Sequence, residues 1–192
     1  MGRRPISGIL HLIVYVGFIV INIEVLEIII DGLFGTHRIF SGIGSIYGIL
    51  IGSFEILAIL VLISVSVFWI RRMVIRVPRF WNKEMTKWPK NDALNILYFE
   101  MVLMSLFLIM NVTDISFQQM DSGNIISQFI GPWFNGLSEN SVHIIERAAL
   151  WVHIVWILIF LNYLYFSKHL HILLAFPNTF YASLKPLGEM DN

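Results

Sequence analysis

Long runs of apolar residues, separated by short polar segments, are the dominant pattern along this 192-residue chain. A helix needs about 20 apolar residues to cross the hydrocarbon core of a bilayer, and four runs meet that length. They predict membrane spans at 6–30, 46–70, 94–117 and 142–166. Helix is expected for each, because lipid offers the backbone no hydrogen-bond partners. The two-residue alternation typical of a membrane barrel is absent.

The segments between the runs contain turn-forming residues. Asp31-Gly32 ends the first run, and Pro78 and Pro89 bracket the loop between the second and third. Gly131-Pro132 marks the long loop before the fourth run, and we expect part of that loop to lie at the membrane interface. Pro177 is predicted to end the helix that continues beyond the fourth run. The pattern therefore predicts an all-α, polytopic bundle of four transmembrane helices.

Composition agrees with this fold class. Hydrophobic residues make up 57% of the chain and charged residues 14%, against roughly 25% charged in soluble domains. The net charge is zero, so no basic field indicates nucleic-acid binding. The absence of cysteine excludes disulfides, and it excludes zinc sites or iron–sulfur clusters held by thiolates of this chain.

The basic residues are distributed unevenly. Of thirteen Lys and Arg, all but Arg38 and Arg147 fall in segments that an even number of spans places on one face. These residues are Arg3, Arg4, Arg71, Arg72, Arg76, Arg79, Lys83, Lys87, Lys90, Lys168 and Lys185. By the positive-inside rule that face is cytoplasmic, together with both chain ends. The basic loop at 71–90 is either this topology signal alone or also a docking surface for a soluble partner.

Histidines within spans suggest function, and two imidazoles on facing helices at equal depth can ligate a haem. His11 and His171 lie at similar depth near the cytoplasmic face if the fourth helix continues to Pro177. His153 lies eighteen positions before His171, which is about five turns and about 27 Å along one helix face. This spacing suits two stacked haems. His169 should point to the other side of that helix.

The partner of His153 stays open at this level. His37 is the better candidate, and His143 is another near the same face. The alternative is that these histidines only form hydrogen bonds between helices.

Carboxylates form a stripe on the first span. Glu24, Glu27 and Asp31 follow the spacing of one helix face, and Glu55 lies in the second span at the same side of the membrane. Carboxylates buried in hydrocarbon can carry protons. Quinol oxidation releases two protons, so Glu24, Glu27 and Glu55 are candidates for a quinol or proton route. The alternative is a set of interhelical hydrogen bonds.

Several segments resemble a known bacterial family. They are 8–11 (GILH), 14–18 (VYVGF), 24–27 (EVLE), 35–40 (GTHRIF), 80–85 (FWNKEM), 88–92 (WPKND) and, most specifically, 162–173 (NYLYFSKHLHIL) followed by Pro177-Asn178. Together they resemble the membrane domain of heterodisulfide-reductase-like (Fe-S)-binding oxidoreductases of the Bacteroidetes type. That domain is similar to the gamma subunit of respiratory nitrate reductase, a cytochrome b.

This resemblance implies a haem b protein of the bacterial cytoplasmic (inner) membrane that exchanges electrons between menaquinol and iron–sulfur clusters. The clusters are expected in a missing cytoplasmic domain or partner. It also implies ligand roles for His11, His153 and His171. Ile21 stands where two-haem relatives carry a further histidine, so the expectation is one haem or two. Residues 1–183 are then the haem-binding transmembrane domain, and 184–192 a cytoplasmic linker or tail.

The predicted function is therefore a membrane component of a quinone-linked oxidoreductase. His11 and His171 bind one haem, and His153, with His37, a second. Two alternatives are a haem-free membrane anchor or assembly subunit, and a small proton or ion transporter that uses the acidic stripe.

Overall fold

The computed structural model describes residues 5–78, 88–119 and 123–182, and within these ranges all regular secondary structure is helical. The predicted all-α class is confirmed. The α-helices in chain order are α1 (Pro5–Phe34), α2 (Ser45–Met73), α3 (Trp88–Thr113), α4 (Ile115–Gln118), α5 (Ser127–Ile130), α6 (Glu139–Leu164) and α7 (His171–Phe180). Short 3-10 turns lie at Ile39–Ile43, Gly131–Phe134 and Lys168–Leu170.

Helices α1, α2, α3 and α6 are each long and apolar enough to cross a membrane. Their outward faces are apolar: Leu12 is 57% exposed and Ile49 74%. Charged side chains lie inside instead, and Glu55 and Asp92 are fully buried. Apolar residues outside and paired polar groups inside are the distribution expected of a bundle surrounded by lipid. The chain is a multi-pass membrane protein.

The long helices pack in a row. α1 packs mainly on α2, α2 on α3, and α3 on α6. Tyr47, Phe54, Val61 and Phe107 are buried at the centre of these contacts. Helices α1 and α6 stand at the two ends of the row, and both of them line two of the cavities described below.

The two ends of the bundle differ in charge. Arg71, Arg72 and Lys168 lie at the end where α2 and α6 finish, which we call the basic end. Glu24 and Glu146 lie toward the opposite end, which we call the acidic end.

Capping residues set the helix boundaries. α3 ends at Thr113, four residues before the predicted end of that span, because Asp114 is extended and caps α4 by accepting from the Phe117 N–H at 3.0 Å. Ser138 caps α6 in the same way, accepting from the Ser141 N–H. Short polar side chains favour such N-cap positions, because they satisfy free backbone donors.

The predicted continuous helix from the fourth span to Pro177 is wrong. α6 ends at Leu164, the extended Ser167 accepts from the His169 N–H at 3.1 Å, and a 3-10 turn leads into α7. Pro177 does not end α7, which continues to Phe180. His153 and His171 therefore lie on different helices, and the expected shared face does not exist.

Some predictions fall outside the described residues. These are Arg3 and Arg4, the central part of the basic loop with Arg79, Lys83 and Lys87, the resembling segment 80–85, and the tail at 184–192 with Lys185.

Candidate functional site

Three cavities lie at different depths of the bundle, and α1 lines each of them. The basic-end cavity has a volume of about 660 Å³ and is lined by His11, His169 and His171. The middle cavity is only about 60 Å³ and is lined by His153. The acidic-end cavity has a volume of about 400 Å³ and is lined by Glu24. The predicted histidines and Glu24 therefore line separate cavities at different depths of the bundle.

The basic-end cavity contains the predicted histidine pair. His11 projects from α1 and stacks against Phe68 of α2, with 5.0 Å between ring centroids. His171 begins α7 and lines the same cavity. Both histidines therefore line one cavity, although the continuous helix that was expected to carry His171 is broken. Their role as haem ligands stays a prediction.

The ring of His171 is held in one orientation. Its Nδ1 lies 2.6 Å from the carbonyl oxygen of Lys168. A carbonyl oxygen can only accept, so Nδ1 carries the proton and Nε2 carries a lone pair. This is the usual arrangement of a metal-ligating histidine, in which a hydrogen bond to one ring nitrogen fixes the other for coordination.

Asp92 holds the break between α6 and α7 in place. It lies in the first turn and a half of α3 and is fully buried. Its Oδ2 accepts from the Lys168 N–H at 3.0 Å, and its Oδ1 accepts from the Tyr163 hydroxyl at 2.7 Å. One carboxylate therefore clamps the last turn of α6 to the turn that precedes His171. Asp92 belongs to the resembling segment 88–92, but no pattern in the sequence indicates this clamp.

His169 also faces the basic-end cavity, contrary to the expectation from a continuous helix. Its ring is 6.0 Å from that of His171, because the 3-10 turn changes the angle between neighbouring side chains. His169 is buried, and its Nε2 lies 3.5 Å from Oε1 of Glu100. A third imidazole, paired with a buried carboxylate, therefore borders the predicted ligand pair.

Positive charge surrounds the rest of the basic-end cavity. Arg71, Arg72 and Lys168 all line it, and the Arg71 guanidinium donates to the Ser7 hydroxyl at 2.5 Å. The remaining lining is mainly aliphatic and aromatic. A haem needs ligands for its iron, an apolar slot for its macrocycle and cations for its propionates. The cavity offers two exposed imidazoles, an apolar slot of several hundred cubic ångströms, and cations at the same end. The residues present fit that group.

The middle cavity does not offer a second pair of imidazoles. His153 is buried there, and its Nδ1 has no hydrogen-bond partner among the described residues. Ile21 of α1 lines the same cavity, at the position where the resemblance expects a histidine in two-haem relatives. The cavity volume of about 60 Å³ holds one or two water molecules.

His37 lies elsewhere. It lines the acidic-end cavity, where its Nε2 is 3.5 Å from Oδ2 of Asp114 and its side chain is half exposed. The structure therefore does not bring His37 and His153 into one cavity.

Arg38 organises the polar residues of the acidic end. Its backbone is left-handed, with φ at 52°, and its side chain points inward. Its guanidinium donates to Oδ2 of Asp114 at 2.9 Å, to the Asn111 amide oxygen at 3.0 Å and to the Tyr47 hydroxyl at 3.3 Å. It also stacks on Phe117, 4.3 Å from the ring centroid. Burial acts to lower the pKa of Arg38, but Glu24 and Asp114 outweigh it and raise the pKa above its ordinary value.

Most carboxylates of the acidic stripe are committed to the backbone. Glu27 accepts from the Phe40 N–H at 2.9 Å and from the Tyr47 hydroxyl at 3.0 Å. Asp31 accepts from the N–H groups of Arg38 and Ile39 at 2.6 and 3.1 Å. Both carboxylates anchor the loop that follows α1.

Glu55 has a similar role on α2, away from the acidic-end cavity. Its Oε2 accepts from the N–H groups of Ile126 and Ser127 at 2.7 and 3.1 Å, and its Oε1 accepts from the Asn111 amide at 3.3 Å. The carboxylate therefore fixes the start of α5.

Glu24 differs from its neighbours. It is 3% exposed, and its Oε2 has no hydrogen-bond partner among the described residues. Glu146 of α6 lines the same cavity. Of the three carboxylates predicted for a proton route, only Glu24 both lines this cavity and has a buried oxygen without a hydrogen-bond partner among the described residues.

Comparison with known proteins supports an oxidoreductase relationship. Over 187 residues, 96% of its length, the chain is 26% identical to the probable iron-sulfur-binding oxidoreductase FadF of Bacillus subtilis (strain 168). The match spans 25% of that relative, so the chain covers about a quarter of its length. No protein-family model matches the chain. No solved structure matches it significantly. The similarity to FadF fits the predicted heterodisulfide-reductase-like family, while the predicted relation to the nitrate reductase gamma subunit stays a prediction.

Proposed function

We propose that this chain is a membrane electron-transfer protein that holds one haem b in the basic-end cavity and connects menaquinol to an iron–sulfur oxidoreductase domain or partner. The observation that carries the proposal is the arrangement of His11 and His171. They line one cavity from two helices, and the Lys168 carbonyl fixes the tautomer of His171 that leaves Nε2 available. The similarity to an iron-sulfur-binding oxidoreductase supports the same role.

The residues of the basic-end cavity have separable roles in this proposal. His11 and His171 would hold the haem iron, and Arg71, Arg72 and Lys168 would balance its propionate charges. Asp92 keeps the turn before His171 in position, while the apolar lining excludes water. When bound, the haem supplies a one-electron carrier close to the basic end. By the positive-inside rule that end faces the cytoplasm, where an iron–sulfur partner would dock.

We further propose that the acidic-end cavity takes the quinol head group. Leu150, Trp151 and Ile154 form an apolar wall on α6, and Glu24 lies on the α1 side. An apolar pocket with a few converging polar groups is typical of a site for such a ligand. Glu24 would accept a proton from the quinol hydroxyl, because its free oxygen is not committed to the fold.

A reduced-minus-oxidised spectrum of the purified, haem-supplied protein tests the ligand assignment. We expect the wild type to show a b-type Soret band, and His11→Ala and His171→Ala each to lose it. His153→Ala and His37→Ala are matched controls that should retain the full band, since neither residue lines the basic-end cavity.

The outcomes separate the alternatives. A wild type without a Soret band would favour the haem-free anchor. A band that persists in both His11→Ala and His171→Ala would reject the ligand pair. Loss of part of the band in His153→Ala would indicate a second haem in the middle of the bundle.

A further inference from the structure

We propose that Glu146 and His143 form the outlet through which protons leave the acidic-end cavity for the aqueous phase. The inference rests on the proposed function, because the quinol is the source of those protons. Oxidation of one menaquinol to menaquinone releases two electrons and two protons. The electrons pass to the iron–sulfur acceptor, and the protons must leave through groups that can both bind and release them.

Glu24 is the candidate group that receives a proton at the cavity. It lines the cavity and is 3% exposed, and its buried Oε2 has no partner among the described residues. A proton arriving at this oxygen breaks no hydrogen bond of the described fold.

Glu146 and His143 connect the cavity to the surface. Glu146 is 8% exposed and lines the cavity opposite Glu24. Its Oε2 lies 3.0 Å from Nδ1 of His143, whose side chain is 59% exposed. His143 precedes Glu146 by one helical turn, close to the start of α6 at the acidic end. A buried carboxylate is therefore in direct contact with an imidazole that reaches the surface, and imidazole exchanges protons readily near neutral pH.

The other carboxylates at this cavity are already bound to groups of the fold. Glu27 and Asp31 accept from backbone N–H groups that hold the loop after α1, and Asp114 accepts from the Phe117 N–H and from Arg38. Proton binding at any of them would disrupt these bonds. The other charged groups facing the cavity are His37, Arg38 and Arg147, with Arg147 Nε 3.7 Å from the same Glu146 oxygen.

His37 is the competing exit. Its ring is half exposed and lies 3.5 Å from Asp114. Asp114 is already bound to Arg38 and caps α4, so a path through His37 would begin at a committed carboxylate. The geometry therefore favours the path from Glu24 through Glu146 to His143.

Stopped-flow mixing of the oxidised, haem-loaded chain in nanodiscs with a soluble menaquinol analogue tests the outlet. Haem reduction is followed at the Soret band and proton release with a pH dye. We expect Glu146→Gln and His143→Ala to slow both signals about tenfold or more, as is common when a proton-transfer group is removed. The dissociation constant of the quinol analogue should not change. Small weak acids such as formate should restore the rate of His143→Ala.

Glu139→Gln is the matched control, since it removes an exposed carboxylate near the start of the same helix. It should behave as the wild type. His37→Ala should leave the rate unchanged. The proposed outlet would be overturned if His37→Ala lowered the rate tenfold while Glu146→Gln and His143→Ala kept the wild-type rate. His143 is exposed, so His143→Ala remains informative if Glu146→Gln folds poorly.

Failure of the proposed function has a different signature. A wild type that binds no haem, or whose haem the quinol analogue does not reduce, would refute the electron-transfer role and the outlet with it. A wild type that is reduced and releases protons, with both outlet variants at the wild-type rate, would refute the outlet alone.

Discussion

The backbone N–H of Lys168 donates a 3.0 Å hydrogen bond to Oδ2 of Asp92, seventy-six positions earlier in the chain. The carbonyl of the same Lys168 residue accepts from His171. A carboxylate on α3 is thus connected to the predicted haem ligand through one residue of the chain. The connection explains why a buried aspartate is placed near the basic end, and it makes the orientation of His171 depend on a distant side chain.

Removing this carboxylate should loosen the turn before His171. Asp92→Ala leaves the Lys168 N–H and the Tyr163 hydroxyl without their acceptor. We expect a loss of about 3 kcal/mol in the free energy of unfolding, since hydrogen bonds to charged groups are strong and unpaired buried donors are costly. Thermal unfolding in detergent micelles measures this loss. Haem retention after gel filtration should fall in the same variant.

Asp92→Asn is the matched variant, because its amide oxygen can still accept from the Lys168 N–H. It should lie between the wild type and Asp92→Ala in both measurements. Wild-type stability and haem retention in Asp92→Ala would show that the turn is held by other contacts.

Glu55 and Glu24 offer a direct comparison of two buried carboxylates. In Glu55→Gln, one carboxylate oxygen becomes an NH₂ group, and it meets either the Asn111 amide donor or the N–H groups at the start of α5. We expect a loss of about 2 kcal/mol in the free energy of unfolding. Glu24→Gln should cost less than Glu55→Gln, because no hydrogen bond at Oε2 is lost and only its attraction to the Arg38 charge is removed.

The order of the two substitutions should reverse when the rate of quinol-driven haem reduction is measured. Glu24→Gln should slow quinol-driven haem reduction, while Glu55→Gln should affect it only as far as the fold is weakened. Unfolding midpoints and stopped-flow rates measured on both variants check this reversal. A destabilised Glu24→Gln protein with a normal rate would assign Glu24 to the fold and not to proton transfer.

The four spans could be predicted from sequence because twenty apolar residues in succession have few other stable environments. That His11 and His171 line one cavity could be anticipated from depth, since both lie near the same end of their spans. The break after Leu164 could not. No proline or glycine interrupts the run from 142 to 166. The break depends on Ser167 and on Asp92, which is far away in sequence.

The roles of the carboxylates also lay beyond sequence. Glu24, Glu27 and Asp31 share a helix face, and periodicity treats them as equivalent. Their partners come from other elements: Phe40 from the loop and Tyr47 from α2 bind Glu27, whereas no described partner reaches Oε2 of Glu24. Arg38 belongs to the resembling segment 35–40 and is an exception to the charge distribution, but neither pattern indicates that it is buried at the centre of the acidic-end network.

Arg38 should be among the least replaceable side chains at the acidic end. Arg38→Gln leaves the buried Asp114 carboxylate without its cation, and we expect a loss of about 3 kcal/mol in the free energy of unfolding. Arg38→Lys keeps the charge but loses the planar fork that serves Asp114, Asn111 and Tyr47 together. It should therefore be destabilised to a smaller degree. Thermal unfolding of both variants checks the order, and equal midpoints for the two would argue against the fork geometry.

Gly17 of α1 packs tightly against α2. A Cβ atom added to Gly17 would overlap a methyl group of the buried Val61 on α2. Gly17→Ala should therefore separate α1 from α2, at a cost of about 1–3 kcal/mol in the free energy of unfolding. The loss is measurable by thermal unfolding in detergent micelles.

A second substitution shows whether that cost arises at this contact. Val61→Ala removes the opposing methyl groups, so Gly17→Ala should cost much less in the Val61→Ala background than in the wild type, and the double-mutant cycle measures the difference. Gly32→Ala is the control on the same helix, because nothing lies within 4 Å of its added Cβ. It should be neutral or slightly stabilising, since alanine is the better helix former. If Gly17→Ala costs the same in both backgrounds, the contact between α1 and α2 is not what makes glycine necessary at this position.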